Sequence, residues 1–145
     1  MMQRHHLQPG NMFSRLRDGQ NIYTPIVVVA GADHVHLYLS GGTSTLPGGE
    51  LAGKGDMRAQ PRQVRENVKT ALENVGGGLG DVVRTVTYTT DVDEHNRHWD
   101  VRFEYFTPPP PTSTLLGVSR FGDPGALVEM EVEAVIEPER LRLPE

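Results

Sequence analysis

The sequence predicts one domain of the α+β class, on three observations. Five segments have the composition or alternation of β-strands, two have the spacing of amphipathic helices, and clusters of Gly and Pro separate them. The resulting order, ββαβαββ, is typical of a mixed sheet with two helices on one face. Because 145 residues suit one domain, we expect a lead-in over residues 1–20, a single domain over residues 21–138 and a tail over residues 139–145.

The first two strands are predicted to form a β-hairpin. Ile26 to Ala30 is an apolar run, His34 to Ser40 alternates apolar and polar residues, and Gly31-Ala32-Asp33 supplies the turn. The preceding 20 residues have no clean period, so we expect them to be loosely ordered. His34 and His36 are spaced to face one side of a strand, but no third ligand is visible, so we predict no metal site.

The first helix is predicted to begin near Ala59 or Gln60 and to end at Val75. Pro61 fits only the first turn of a helix, and Gly76 to Gly78 fits its end. Arg65 and the other charged residues of this segment are expected to face water. The predicted apolar face consists of Val64, Val68, Ala71, Leu72 and Val75.

The second half of the chain is predicted to form strand, helix, strand and strand. Val82 to Val92 is rich in Val, Thr and Tyr, and Asp93 to Phe106 is interpreted as a helix capped by Asp93. Four prolines precede a strand over Thr114 to Phe121. The last strand, Leu127 to Ile136, has the clearest alternation. Its predicted core face is Val128, Met130, Val132, Ala134 and Ile136, opposite Glu129, Glu131 and Glu133.

Composition excludes several classes of function. The chain has no cysteine, so disulfide frameworks, thiolate metal centres and cysteine nucleophiles are excluded. A net charge of −5 argues against a nucleic-acid partner. The mean hydropathy of −0.42 and the lack of a long apolar run or a secretory leader predict a cytoplasmic protein without a membrane partner. We expect no cofactor.

Four motifs, in order, resemble those of the YjgF-like, or Rid (reactive intermediate deaminase), family. The resemblance implies a chorismate-mutase-like fold and a homotrimer whose strands form an inner barrel with a pocket at each subunit interface. It also implies a small-molecule substrate, because well-studied members hydrolyse imines and enamines to oxoacids and ammonia. The motifs are Tyr38 to Gly42, Asp56 to Val68, Val82 to Val92 and Ala126 to Glu131.

Glu129 occupies the position of the family's proton-handling glutamate and is the predicted catalytic residue. A role without function is also open, since Glu129, Glu131 and Glu133 could form one solvated strand face. The resemblance implies Tyr23, Gly41, Trp99, Ser113 and Leu115 around the pocket.

The chain departs from the family where the substrate carboxylate is bound. Members carry an arginine at the start of the fourth strand, whereas this position is Ser113 in the run Pro111-Thr112-Ser113-Thr114. Affinity for small oxoacids is therefore expected to be weak, unless Arg84 or Arg120 takes the role. A binding role for the Ser113 hydroxyl and a plain hydroxyl-rich strand are both open.

Two classes of function follow from the residues and the resemblance. The first is a hydrolase of the deaminase type that acts on an imine, an enamine or a related C–N intermediate. The alternative is a non-catalytic trimer that binds a metabolite or a partner protein, which the missing arginine favours. RNA cleavage, also attributed to family members, is disfavoured by the acidic charge balance.

Overall fold

A six-stranded mixed sheet forms the body of the computed structural model, which describes residues 1–144. The strand order is β1-β4-β5-β8-β6-β7, and every neighbouring pair is antiparallel except β6 and β7. β2 and β3 form a separate hairpin. The predicted α+β class with a mixed sheet is confirmed. The strands are β1 (Gln3–Leu7), β2 (Leu16–Arg17), β3 (Gln20–Asn21), β4 (Ile26–Ala30), β5 (Val35–Gly42), β6 (Val82–Thr89), β7 (Thr112–Gly117) and β8 (Val128–Ile136).

The core lies between one face of this sheet and helix α1 (Ala59–Glu73), which packs against β5 and β8. The predicted apolar residues of the helical segment and of β8 are all buried, and the most exposed of them, Val68, is 6% exposed. Pro61 lies in the first turn of α1, as predicted. Gly76 follows the helix in the left-handed conformation (φ +89°), and the Gly77 amide closes the helix end on the Leu72 carbonyl at 2.8 Å.

The buried side chain of Gln60 fixes where β8 begins. Its amide nitrogen donates to the carbonyls of Gly53 (3.2 Å) and Gly125 (3.0 Å), and its oxygen accepts from the Leu127 amide at 2.8 Å. Gln60 is 0% exposed, so these bonds are sheltered from water. One side chain therefore ties the start of α1 to the loop that leads into β8.

The expectation of a loosely ordered N-terminus is wrong for the first 20 residues. Gln3–Leu7 pairs with β4 along its whole length and forms one edge of the sheet. A turn at Asp18 (φ 51°) and Gly19 (φ 77°) joins β2 to β3. Both turn residues have positive φ, as a type I′ turn requires, and the Asp-Gly pair is typical of that turn.

The second predicted helix is also corrected. The segment contains α2, a short helix over Val92–Asn96, followed by a 3-10 turn over Trp99–Glu104. Asp91 rather than Asp93 caps α2, because its carboxylate accepts from the Glu94 amide at 3.0 Å. The cap lies two residues earlier because β6 ends at Thr89, where the hydroxyl bonds the Leu127 carbonyl at 2.9 Å.

Arg65 was expected to face water but is only 4% exposed. Its guanidinium donates to the Pro61 carbonyl at 3.1 Å, one turn back along α1. Burial lowers the pKa of Arg65 to about 10. The Arg62 guanidinium on α1 bonds the Glu104 carboxylate at 3.0 Å, so the 3-10 segment lies against this helix. The helical spacing of the charged residues does not reveal that neighbour.

Candidate functional site

An irregularity in the pairing of β5 with β8 brings the backbone of Gly41 against Glu129. The register shifts between Leu39 and Gly42, as expected for a β-bulge. The Ser40 hydroxyl holds the bulge by donating to the Thr24 carbonyl at 2.6 Å. A Cβ atom at Gly41 would overlap an oxygen of the Glu129 carboxylate and would lie only 3.0 Å from the Glu129 Cδ atom. Glycine therefore leaves the space that the carboxylate occupies.

The Glu129 carboxyl group is half-buried, and its pKa is raised above the usual value of 4.5. Burial raises the pKa because it penalises the charged form, and it is the larger of two causes. The second cause is the negative charge of Glu131. Among residues 1–144, Glu129 accepts no side-chain hydrogen bond. A carboxyl group with a raised pKa and free acceptor atoms is suited to exchanging protons with a bound molecule.

The other two glutamates of this strand face have partners. Glu133 lies 3.1 Å from His36 Nε2 and 3.1 Å from the Arg84 guanidinium. Glu131 accepts a hydrogen bond from the Tyr88 hydroxyl, which raises the pKa of Tyr88. The three carboxylates are therefore not an equivalent solvated row, and Glu129 is distinguished by its surroundings.

Glu129 lines a cavity of about 540 Å³, which is in the size range of small-molecule sites. Asn67 on α1 holds one wall by donating to the carbonyls of Thr43 (3.2 Å) and Thr45 (2.9 Å). The lining is mixed, with two arginines, hydroxyls, amides and three aromatic rings. Its polar members include Asn11, Arg15, Arg17, Tyr23, Ser40, Thr43, Thr45, Asn67, Thr70, Asp123 and Glu129.

A smaller cavity of about 280 Å³ also contains Glu129. Gly41, Phe121 and Glu129 line both cavities, and Tyr88, Arg120 and Glu131 line only the smaller one. The carboxyl group of Glu129 therefore borders two spaces that a ligand or water can enter.

The structure brings together three of the six predicted site residues. Tyr23, Gly41 and Glu129 line the larger cavity. Trp99 is 57% exposed and packs edge-to-face on Phe103 instead, with ring centroids 5.4 Å apart. Ser113 and Leu115 lie on β7 at the sheet edge, outside the cavity of this chain. These three positions stay predictions for a site shared between subunits.

Sequence reasoning missed Arg15 and Arg17, which line the cavity beside Glu129. The signal that could have found them is the Asp18-Gly19 pair, which marks a tight hairpin and so gives the flanking residues fixed directions.

No group of three or more residues suited to hold a metal ion occurs among residues 1–144. His34 lies in the turn before β5, and His36 is bonded to Glu133. None of the helices described is both long and apolar enough to span a bilayer.

Comparison with known proteins defines the family. The profile of the family described as endoribonuclease L-PSP matches residues 20–136. A RutC family protein of Pyrococcus abyssi is 37% identical over 59% of this chain and 66% of its own length, and one of Sulfurisphaera tokodaii is 34% identical over 66% of this chain and 76% of its own. The match thus spans just under two thirds of the Pyrococcus relative.

Solved structures with a similar fold point to the same family. RidA from an Antarctic Psychrobacter is 26% identical, with a TM-score of 0.75 over 91% of this chain and 99% of that one. The chain belongs to the endoribonuclease L-PSP family, and the resemblance to YjgF-like, or Rid, proteins is confirmed.

Proposed function

We propose that this protein hydrolyses the C=N bond of a small imine, or of the enamine in equilibrium with it, in the cavity beside Glu129. The observation that carries the proposal is the Glu129 carboxyl group at the wall of a cavity of about 540 Å³. It is half-buried, its pKa is raised by burial, and it accepts no side-chain hydrogen bond among residues 1–144. Membership of a family that includes RidA supports this chemistry.

The reaction needs a group that accepts a proton and then returns it. As water adds to the imine carbon, the Glu129 carboxylate takes a proton from it, and the π electrons of the C=N bond pass to nitrogen. The resulting carboxylic acid returns this proton to nitrogen, which gives a neutral carbinolamine. In a second transfer the Glu129 carboxylate takes the hydroxyl proton of the carbinolamine and passes it to nitrogen, while the C=O bond forms and the C–N bond breaks. The products are a carbonyl compound and ammonia, and Glu129 is regenerated.

The test is ammonia release from a panel of imines generated enzymatically in the assay, corrected for the rate without the protein. Faster release with the unmodified protein supports the proposal. Binding of a small molecule without any acceleration would instead favour the non-catalytic binding protein, for which the missing arginine at Ser113 is the supporting observation.

We do not propose RNA cleavage, although the family's description refers to it. The net charge of −5 gives no general attraction to phosphates. The candidate site is a cavity of small-molecule size rather than a long basic groove with stacking rings.

The proposal includes assembly into a homotrimer. The sheet face opposite α1 carries the glutamates, His36 and Tyr38, all of them half-buried or exposed in the described part of the chain. Strand β7 is an edge strand of the sheet formed by residues 1–144, and Leu116 on it is 48% exposed. A neighbouring subunit would cover these surfaces and bring a β7 strand with its Ser113 and Leu115 towards the site.

Light scattering is expected to give three times the chain mass of 16.0 kDa. A particle of the mass of one chain at micromolar concentration would contradict the trimer, and with it the proposed role of Trp99, Ser113 and Leu115 at a shared site.

A further inference from the structure

Two arginines, Arg15 and Arg17, line the cavity beside Glu129. Among residues 1–144, neither Arg15 nor Arg17 has a carboxylate within 4.0 Å, whereas Arg58 and Arg62 each bond one and Arg140 bonds two. Arg15 is half-buried with its guanidinium 5.9 Å from the centre of the Phe13 ring. Two unpaired guanidinium groups at a cavity wall favour an anionic ligand.

The hairpin that carries these arginines is a defined structure. Arg17 pairs with Gln20 and Leu16 with Asn21, and the Ile22 amide extends the ladder by donating to the Arg15 carbonyl at 3.3 Å.

The segment leading into the hairpin is fastened to the body. The side-chain amides of Asn11 and Asn74 bond reciprocally, at 3.2 and 2.8 Å, and join this segment to the end of α1. Met12 packs against the core. The arginines are therefore held over the cavity by the fold, not merely attached to a free tail.

We propose that Arg15 and Arg17 form an anion-binding subsite that selects ligands bearing a carboxylate, in place of the arginine that is absent at Ser113. The proposal rests on the proposed function, since it concerns the same cavity. It also revises the expectation of weak oxoacid binding, and it places the charge on the N-terminal hairpin rather than on Arg84 or Arg120.

The chemistry of the cavity favours a carboxylate over a phosphate. The planar guanidinium fork matches the two oxygens of a carboxylate. The other charged groups of the lining are Asp123 and Glu129, both acidic. A singly charged carboxylate is repelled less by these two groups than a doubly charged phosphate is. The cavity volume of about 540 Å³ accommodates the rest of a small organic anion.

The test is a calorimetric titration with 2-oxobutyrate, which measures binding without catalysis. The double variant Arg15→Gln/Arg17→Gln is expected to bind about 10- to 100-fold more weakly, because charge-assisted hydrogen bonds are lost. Arg4→Gln, the same change at an exposed arginine of β1 outside the cavity, is expected to bind like the unmodified protein. Thermal unfolding checks that the variants fold alike.

Three results would overturn the subsite: no binding of 2-oxobutyrate to the unmodified protein, equal affinity in the double variant, or loss of binding in Arg120→Gln alone. Tighter binding of inorganic phosphate than of 2-oxobutyrate would overturn the selection of a carboxylate. Ammonia assays keep the two proposals apart. Arginine-dependent binding without ammonia release supports the subsite and refutes catalysis. Ammonia release with an unchanged KM in the double variant supports catalysis and refutes the subsite.

Discussion

Replacing Glu129 by glutamine is expected to slow ammonia release about 10²- to 10⁴-fold, the usual contribution of general acid–base catalysis. The amide has the shape of the carboxyl group but cannot take a proton from water and return it to nitrogen. Because Glu129 accepts no side-chain hydrogen bond among residues 1–144 and its pKa is raised by burial, the substitution should not destabilise the fold. Rates and unfolding curves of the two proteins check both statements.

Glu133→Gln is the matched control, since it changes the same residue type on the same face of β8. Glu133 is bonded to His36 and Arg84 and lines neither cavity, so the rate is expected to change little. Equal losses in the two variants would mean that the charge of the strand face matters and that Glu129 has no separate role. Glu131 is unsuitable as a neutral control, because its charge acts on Glu129.

Replacing Gly41 by alanine is expected to lower the rate of ammonia release by about 100-fold, since misplacing a catalytic group by about 1 Å has effects of this size. The new methyl group would occupy the space of the Glu129 carboxylate and push it aside. The side chain of Glu129 can rotate away, so the fold should persist, as circular dichroism and thermal unfolding would show.

Gly42→Ala is the control for Gly41→Ala, because a Cβ at Gly42 meets nothing within 4 Å. Neither glycine has the positive φ that would strain alanine. If Gly42→Ala lost as much activity as Gly41→Ala, the loss would come from reduced flexibility at the end of β5. The contact between residue 41 and Glu129 would then not explain it.

The elements that sequence predicts best are those whose two faces differ sharply. The alternation in β8 and the spacing in α1 place every predicted apolar residue in the core, because burial of one face decides both structures. The same reasoning fails for Arg65, which was predicted to face water but is buried. The 3-10 turn of Trp99–Glu104 is bonded to the same helix through Glu104 and Arg62, and sequence spacing within α1 carries no information about that neighbour.

The site is predictable in part for a similar reason. Gly41 and Glu129 are found by their motifs, and local pairing of β5 with β8 brings them together. Arg15 and Arg17 are not found, because their hairpin has only two residues in each strand and shows no period. Trp99, Ser113 and Leu115 lie away from the cavity of one chain, so their place in the site stays a prediction that requires a second subunit.

The measurement that tests the role of Glu129 most directly is the pH dependence of kcat/KM for ammonia release. A carboxylate that acts as a base must be ionised, so the rate is expected to rise with pH through a pKa above 4.5, since burial and Glu131 raise the pKa of Glu129. Glu131→Gln removes one of these causes and is expected to move the rise to lower pH. The rise should vanish in Glu129→Gln. A rise that stays at the same pH in both variants would contradict the assignment of Glu129 as the proton-transferring group.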